Sequence, residues 1–286
     1  MLHPRLPGFV QSFINDALNS ATDICDHDLI AVYLFGGVAK GYFSQKVSDV
    51  DLLFIVSDDC SDENLNTLED RLQNLERKYG ILQTDSFDSL YLAFQTALFK
   101  SHYVLRLGSL RNMDYSAMFL EGRGLSFLKR NMKLLKSLST SRLMFRNILK
   151  EATILFGEDV VKQLSVPPAI STDYVSVFMA SWTISIFGLI SSLFSRSSTR
   201  FSLEAVKYYI HNVYSLLNNK TTTINQSINY ALSKHLLPKS FIIEKFVKLR
   251  EAYSYDFLFC AVIPLYLLIT HSRLTKYLRH IKLYDL

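Results

Sequence analysis

The segment from residue 35 to residue 56, FGGVAKGYFSQKVSDVDLLFIV, constrains the fold more than any other part of the chain. Two adjacent glycines, Gly36 and Gly37, end the apolar run LIAVYLF, and Asp49 and Asp51 lead into a second apolar run, LLFIV. Near-continuous apolar runs of this length predict two strands that are buried on both sides. The glycines predict a turn after the first strand, in which backbone amides can closely approach phosphate oxygens.

The spacing of the two acids predicts a site for a metal ion. Asp49 and Asp51 are two residues apart, so on a strand both carboxylates project from one face. Carboxylate oxygens are hard ligands, and they suit Mg²⁺ that carries a nucleoside triphosphate. A glycine pair alone usually marks a turn, and a lone Asp-x-Asp usually marks a strand end or a cap. Their occurrence together, in this order, is much more specific.

Residues 29–57 closely resemble the signature of the polymerase-β-like nucleotidyltransferase superfamily, especially its small prokaryotic members and the aminoglycoside nucleotidyltransferases. The matching residues are Gly36, Gly37, Lys40, Gly41, Ser48, Asp49 and Asp51. The resemblance implies a Mg²⁺-dependent enzyme that transfers a nucleoside monophosphate from a nucleoside triphosphate to an acceptor hydroxyl. The acceptor is a small molecule, a protein or an RNA end, and the sequence leaves these open. Two magnesium ions and ATP as the nucleotide are expected.

The same resemblance implies a role for each matching residue. Asp49 and Asp51 would hold the metal ions as catalytic carboxylates. The nucleotide-binding residues would be Gly36 and Gly37, through their amides, together with Lys40 and Ser48 near the phosphates. Two competing interpretations stay open, because Ser48 is equally explained as a turn residue and Lys40 as a solvated surface cation.

Members of the superfamily usually add a third carboxylate from the next strand. The sequence predicts that strand over residues 81–87, so Asp85 is the expected third catalytic and metal-binding residue, with Asp88 as the alternative. Asp85 is also explained as a loop or cap residue, since short Asp side chains favour such positions. Without a third carboxylate, the alternative function is a non-catalytic module on the same fold. A further alternative is a toxin–antitoxin-type component with a small helical protein partner.

The remaining patterns predict two domains. The strand signal disappears after about residue 115, and helical periodicity replaces it. We therefore expect an α/β (α+β) nucleotidyltransferase domain with a short mixed sheet over residues 1–120, and an all-α helical domain over residues 121–286. The predicted helices cover residues 8–21, 63–80, 141–156, 173–194, 202–218, 223–235 and 240–280, the last broken near Pro264.

One uncharged run raises the question of a membrane. Residues 174–195 carry no charge over a length that could span a bilayer, and 49% of the chain is hydrophobic. We expect a buried core helix here rather than a membrane span, because the run is rich in serine and charged residues bracket it closely. Three widely spaced cysteines predict no disulfide framework and favour a cytoplasmic location. The net charge of +5 fits anionic substrates but is mild.

Overall fold

The structure, a computed structural model, describes residues 6–41, 50–81, 102–111, 140–238 and 241–284. The chain divides into two compact units. The sheet unit contains Met1–Ser137 and Met144–Pro167, and the helical unit contains Leu138–Leu143 and Pro168–Leu286. The sheet unit thus includes a segment that follows residue 120, whereas the division into domains 1–120 and 121–286 stays a prediction.

The described part of the sheet unit contains four strands, five helices and two 3₁₀ turns. Its described elements are α1 (Gly8–Cys25), a 3₁₀ turn (Asp26–Asp28), β1 (Leu29–Phe35), α2 (Gly36–Ala39), β2 (Asp51–Val56), α3 (Asp62–Lys78), β3 (His102–Arg106), α4 (Leu107–Arg111), α5 (Thr140–Glu151), β4 (Thr153–Gly157) and a 3₁₀ turn (Val161–Gln163). Helix α5 begins in the segment that belongs to the helical unit.

Local signals in the sequence define helix α3 as predicted. The Ser61 hydroxyl accepts a hydrogen bond of 3.1 Å from the Asn64 amide, which satisfies one of the open donors at the helix start. The helix ends before Gly80, which has a φ of 63°. The Ile81 amide then donates to the Glu76 carbonyl, the hydrogen bond that typically closes a helix past a left-handed glycine.

The four described strands form one mixed sheet in the order β3-β2-β1-β4. Strand β1 pairs antiparallel with both β2 and β4, and β2 pairs parallel with β3. The helical unit that follows contains helices only in its described residues. The fold class predicted from the sequence, a short mixed sheet with helices followed by a helical region, is therefore confirmed.

Both faces of the central strands are covered, which explains their continuous apolar sequences. Leu34 and Leu52 belong to a core that lies against α1 and α3. Tyr33 and Leu53, which point to the opposite face, belong to a second core that includes Ile148 of α5. Burying each such side chain stabilises the fold by about 1.5–3 kcal/mol relative to leaving it exposed.

The prediction of one helix over residues 141–156 is wrong in its last part. Helix α5 ends at Glu151, and the next residues form β4, which pairs with β1 from Thr153 to Gly157. β4 is an edge strand in which no residue is fully buried, so it lacks the burial typical of a central strand and its apolar residues read as the end of an amphipathic helix. At Gly157, with φ at 77°, a Cβ would lie 1.9 Å from the Ile30 carbonyl oxygen, so the strand pairing requires glycine there.

Strand β3 was missed by the sequence analysis. The predicted strand over 81–87 lies outside the described residues beyond Ile81, and the described neighbour of β2 is His102–Arg106. A core histidine gives this strand its atypical start. His102 is fully buried, and its ring nitrogens lie 2.6 Å from Glu76 Oε1 and 3.2 Å from Glu69 Oε2. The imidazole therefore hydrogen-bonds to Glu76 and lies within ion-pair distance of Glu69, and these two acids tie α3 to β3 inside the core.

The helical unit contains five long described helices besides the start of α5. They are α6 (Ser171–Ser191), α7 (Thr199–Asn218), α8 (Ile224–Ser233), α9 (Phe241–Glu251) and α10 (Phe257–Tyr284). Helix α6 packs closely on α7 through small residues, because a Cβ on Gly188 would lie 2.8 Å from Ser202 Oγ. The fully buried Ser181 and Ser185 share this face of α6.

The predicted break near Pro264 is wrong. The chain leaves the helical conformation between Glu251 and Phe257, and α10 continues through Pro264. The side chain of Asp256 sets the start of α10, since its Oδ1 accepts a 2.8 Å hydrogen bond from the Phe259 amide. Proline inside a helix loses one backbone hydrogen bond. Buried neighbours such as Ile263 hold α10 helical there by packing.

Among the described residues, α6 and α10 are each long and apolar enough to cross a membrane. Such helices also occur as core helices of soluble proteins, so length and composition are weak evidence. In the most apolar stretch of each, 33% and 44% of the residues are buried inside the protein. The expectation of a core helix over residues 174–195 stays a prediction.

Candidate active site

The glycine turn and the second acid meet at one end of the sheet. Asp51 is the first residue of β2 and pairs with Phe35, the last residue of β1. Because β1 and β2 are antiparallel, the start of one lies beside the end of the other. Gly36 follows Phe35 directly, so Asp51 lies next to the turn that the two glycines begin.

Asp51 and Gly36 are in contact. Gly36 has a φ of 71°, and a Cβ built on it would lie 2.1 Å from Asp51 Oδ2 and 3.1 Å from its Cγ. No real side chain tolerates such a distance, so any other residue at position 36 would displace the carboxylate. Glycine is therefore required at position 36 for two reasons: the backbone is left-handed, and an acidic side chain approaches it closely.

Helix α2 directs backbone amides toward the same end of β1. It is a single turn, Gly36–Ala39, and the Lys40 amide closes it by donating to the carbonyls of Gly37 and Val38. The first N–H groups of any helix have no acceptor within the helix, which makes them available to an anion. Gly37 is exposed to solvent. The roles predicted for Gly36 and Gly37 in phosphate binding are compatible with this geometry and stay predictions.

Lys40 has a partner that the sequence analysis missed. Its Nζ lies 2.6 Å from Glu151 Oε2, and the two side chains are only 19% and 7% exposed. Glu151 is the last residue of α5, and Thr153, two residues later, pairs with Leu34 of β1. The two partners are separated by most of the sheet unit in sequence. No local pattern could therefore have revealed their pairing.

Helix α5 adds two more basic residues to the sheet unit near Glu151. Arg146 is almost completely buried, with 1% of its surface exposed. The pKa of the Lys150 ammonium is lowered to about 8, mainly by burial and also by the charge of Arg146, while the charge of Glu151 acts in the opposite direction. Lys150 therefore changes its charge close to neutral pH, unlike an ordinary surface lysine.

Several predicted site residues lie outside the described residues. These are Ser48, Asp49, Asp85 and the alternative Asp88. Strand β3, which lies beside β2, has no acidic residue between His102 and Arg106. No group of three or more His, Cys, Asp or Glu side chains within the described part of the chain could hold a metal ion.

The described donors are nevertheless compatible with magnesium. Asp51 supplies a hard carboxylate oxygen, and Mg²⁺ is commonly held by one or two protein carboxylates together with the phosphates of the substrate. Asp49 stays the predicted source of a second carboxylate. The fit therefore depends on a bound triphosphate and on Asp49.

A comparison with known families identifies the domain that contains this site. Residues 19–96 match the family described as nucleotidyltransferase domain. The matched segment contains β1, α2, β2 and α3, and with them Gly36 and Asp51. The match confirms the resemblance predicted from residues 29–57 and the prediction of a nucleotidyltransferase. No curated protein sequence matches the chain.

A solved structure extends the similarity to the whole chain. The fold is similar to that in the crystal structure of spectinomycin adenyltransferase AAD(9) from Enterococcus faecialis with ATP and spectinomycin. The TM-score is 0.55, and the alignment covers 93% of this chain and 99% of that chain. The two sequences are 14% identical, so the similarity shows the fold alone.

Proposed function

We propose, from the premise that this chain is a nucleotidyltransferase of the polymerase-β-like superfamily, that it transfers the adenylyl group of ATP to a hydroxyl of a small molecule. The observation that carries the proposal is the contact between Asp51 and Gly36. It brings a metal-binding carboxylate against the turn whose amides suit a triphosphate.

The reaction requires alignment and charge neutralisation more than covalent help from the protein. The acceptor oxygen forms a bond to the α-phosphorus of ATP, and the bond from that phosphorus to the bridging oxygen of the β-phosphate breaks. Pyrophosphate leaves with the electron pair, and the acceptor hydroxyl gives its proton to Asp85, the expected third carboxylate, or to water. Mg²⁺ held by Asp49 and Asp51 would neutralise charge on the phosphate oxygens. The amides of α2 and the ammonium of Lys40 would hold the triphosphate in line.

The choice of a small acceptor rests on the similarity to a solved structure. The similar structure is that of an adenyltransferase with ATP and spectinomycin, and the similarity covers nearly all of both chains. A protein side chain and an RNA end are the competing acceptors.

The test is an assay of the purified chain with ATP, Mg²⁺ and a panel of acceptors that includes spectinomycin, other aminocyclitols and aminoglycosides, a protein mixture and RNA. We expect release of pyrophosphate and an acceptor that gains the mass of one adenylyl group. Asp51→Asn should abolish both signals without unfolding the protein. Label that appears only on protein or RNA would refute the small acceptor. If neither ATP binding nor transfer occurs with any nucleoside triphosphate, the proposal fails completely.

A nucleotide-binding module without turnover is the second candidate. The observation in its favour is the absence of an acidic residue from the described part of β3, the strand next to Asp51. Asp85 and Asp88 decide between the two candidates. If Asp85→Asn and Asp88→Asn both leave transfer unchanged, neither residue is the third carboxylate. If the wild type binds Mg·ATP but transfers nothing, the second candidate is the correct one.

We also propose a cytoplasmic location. The three cysteines, Cys25, Cys60 and Cys260, are free and buried, which fits a reducing compartment. ATP, the proposed substrate, supports the same location. Recovery of the protein in the soluble fraction without detergent is the expected result. Retention in membranes would instead point to α6 and α10.

A further inference from the structure

We propose that Glu151 is a positioning residue that holds the ammonium of Lys40 toward the triphosphate of the bound nucleotide. This inference rests on the proposed function, because it gives the ion pair a substrate to act on. The supporting observation is the distance of 2.6 Å between Lys40 Nζ and Glu151 Oε2, within a pair that is largely shielded from water.

The position of the pair places it beside the candidate active site. Lys40 closes α2, the turn that begins with Gly36, and Gly36 touches Asp51. Glu151 immediately precedes the segment that leads into β4, and β4 flanks β1 on the side opposite to β2. Leu34 of β1 pairs with residues on both neighbours, so the beginnings of β2 and β4 lie at the same end of the sheet.

An acidic partner restrains the position from which a lysine contacts a phosphate. The lysine ammonium is a point charge at the end of a flexible stem, and it offers three N–H donors. The ion pair with Glu151 restrains the stem and so favours one position of the ammonium. The same contact also neutralises Glu151, whose carboxylate would otherwise repel the triphosphate.

The burial of the pair separates it from ordinary surface ion pairs. The comparable pair between Lys78 and Asp16 has a distance of 2.9 Å, but its side chains are 61% and 37% exposed. Exposed pairs of this kind contribute little, because water screens them and both side chains lose freedom. The Lys40–Glu151 pair is less accessible to water, so its geometry is better defined.

The experiment exchanges the two charges. The double variant Lys40→Glu with Glu151→Lys keeps an ion pair between the two elements but directs an acidic side chain to the phosphates. Affinities for Mg·ATP and for AMP are measured by competition with a fluorescent ATP analogue, and thermal stability is measured in parallel. We expect the exchange to restore the melting temperature relative to each single variant. We also expect it to weaken Mg·ATP binding at least tenfold and to change AMP binding less than threefold.

Two further variants make the result specific. Glu151→Gln should weaken Mg·ATP binding several-fold and leave AMP binding unchanged, since Lys40 keeps its charge but loses its orientation. The exchange Lys78→Glu with Asp16→Lys is the matched control and should leave both affinities unchanged. The positioning role is overturned if Glu151→Gln retains wild-type affinity for Mg·ATP, or if it weakens ATP and AMP equally. If the wild type itself binds no Mg·ATP, the proposed function fails and this inference fails with it.

Discussion

Strands β1 and β2 of the sheet unit and helices α6 and α10 of the helical unit are all strongly apolar, but the strands are buried far more completely than the helices. Every residue of β2 after Asp51 is buried, whereas only 33% and 44% of the most apolar stretches of α6 and α10 are buried. An apolar composition therefore predicts that a segment tends to be buried, but the extent of its burial depends on which other elements pack against it. The strands have helices on both faces, while α6 buries mainly the face of small residues that meets α7.

Both units pair charges from separate elements. In the sheet unit, Lys40 pairs with Glu151 at the end of the sheet where Asp51 touches Gly36. In the described part of the helical unit, Arg250 of α9 lies 3.7 Å from Glu204 of α7, and Lys207 pairs with Glu204 within one helix. Charge pairs between elements therefore do not distinguish the two units, and the glycine turn beside Asp51 does.

The largest expected effect tests the difference in burial. Leu53 in β2 is fully buried, and Leu265 in α10 is 59% exposed. Leu53→Ser should lower the free energy of unfolding by about 3–5 kcal/mol, because it leaves a cavity and buries a hydroxyl. Leu265→Ser should change it by less than about 0.5 kcal/mol. Urea unfolding of both variants measures this. A large loss in Leu265→Ser would mean that a partner copy or a membrane covers that surface.

The next effect tests the contact on which the site depends. Gly36→Ala should lower adenylyl transfer at least about 100-fold, because the new methyl group displaces the Asp51 carboxylate. Gly80→Ala is the matched control, since Gly80 also has positive φ, at 63°, but a Cβ there meets nothing within 4 Å. Both substitutions should lower the free energy of unfolding by about 1–2 kcal/mol, because alanine disfavours a left-handed backbone. Only Gly36→Ala should also lose activity. Equal activity in the two variants would remove Asp51 from the site.

A smaller effect tests how the helical unit is packed. Gly188→Val should destabilise the protein by about 1–3 kcal/mol, because α6 and α7 already touch at this position. Thr183→Val introduces the same side chain at an exposed position of α6 and should change stability by less than about 0.5 kcal/mol. Thermal unfolding compares the two variants. If both are equally stable, α6 and α7 are not held together by close packing.

The smallest effect depends on pH and concerns Lys150. Its pKa is about 8 in the folded protein, below the 10.5 of an ordinary lysine, so the unfolded chain binds more protons between these values. This group therefore makes the protein more stable as pH rises from 8 to 10.5, and less stable below pH 8. Lys150→Met should stabilise the protein at pH 7, and this gain should shrink toward pH 10.5. Denaturant unfolding at both pH values checks the sign. An equal gain at both would contradict the lowered pKa.

Sequence patterns alone predicted the parts of the fold that depend on neighbouring residues. β1, β2, the helix α3 and the fold class all follow from short apolar runs, glycines and helical periodicity. The edge strand β4 was missed because none of its residues is fully buried. Strand β3 was missed because it begins with a buried histidine that pairs with two acids of α3, which is atypical of an apolar strand. The path of α10 through Pro264 was mispredicted, since packing by distant residues outweighs one lost hydrogen bond.

The sequence by itself predicted a nucleotidyltransferase, because the order of glycines and acids around two apolar runs is a local pattern that can be recognised within residues 29–57. Only the tertiary structure decided that Asp51 rests on Gly36 and that Lys40 pairs with Glu151. It also decided which apolar side chains are covered. The physical reason is that contacts between residues far apart in the chain depend on how whole strands and helices pack, and no short segment of sequence carries that information.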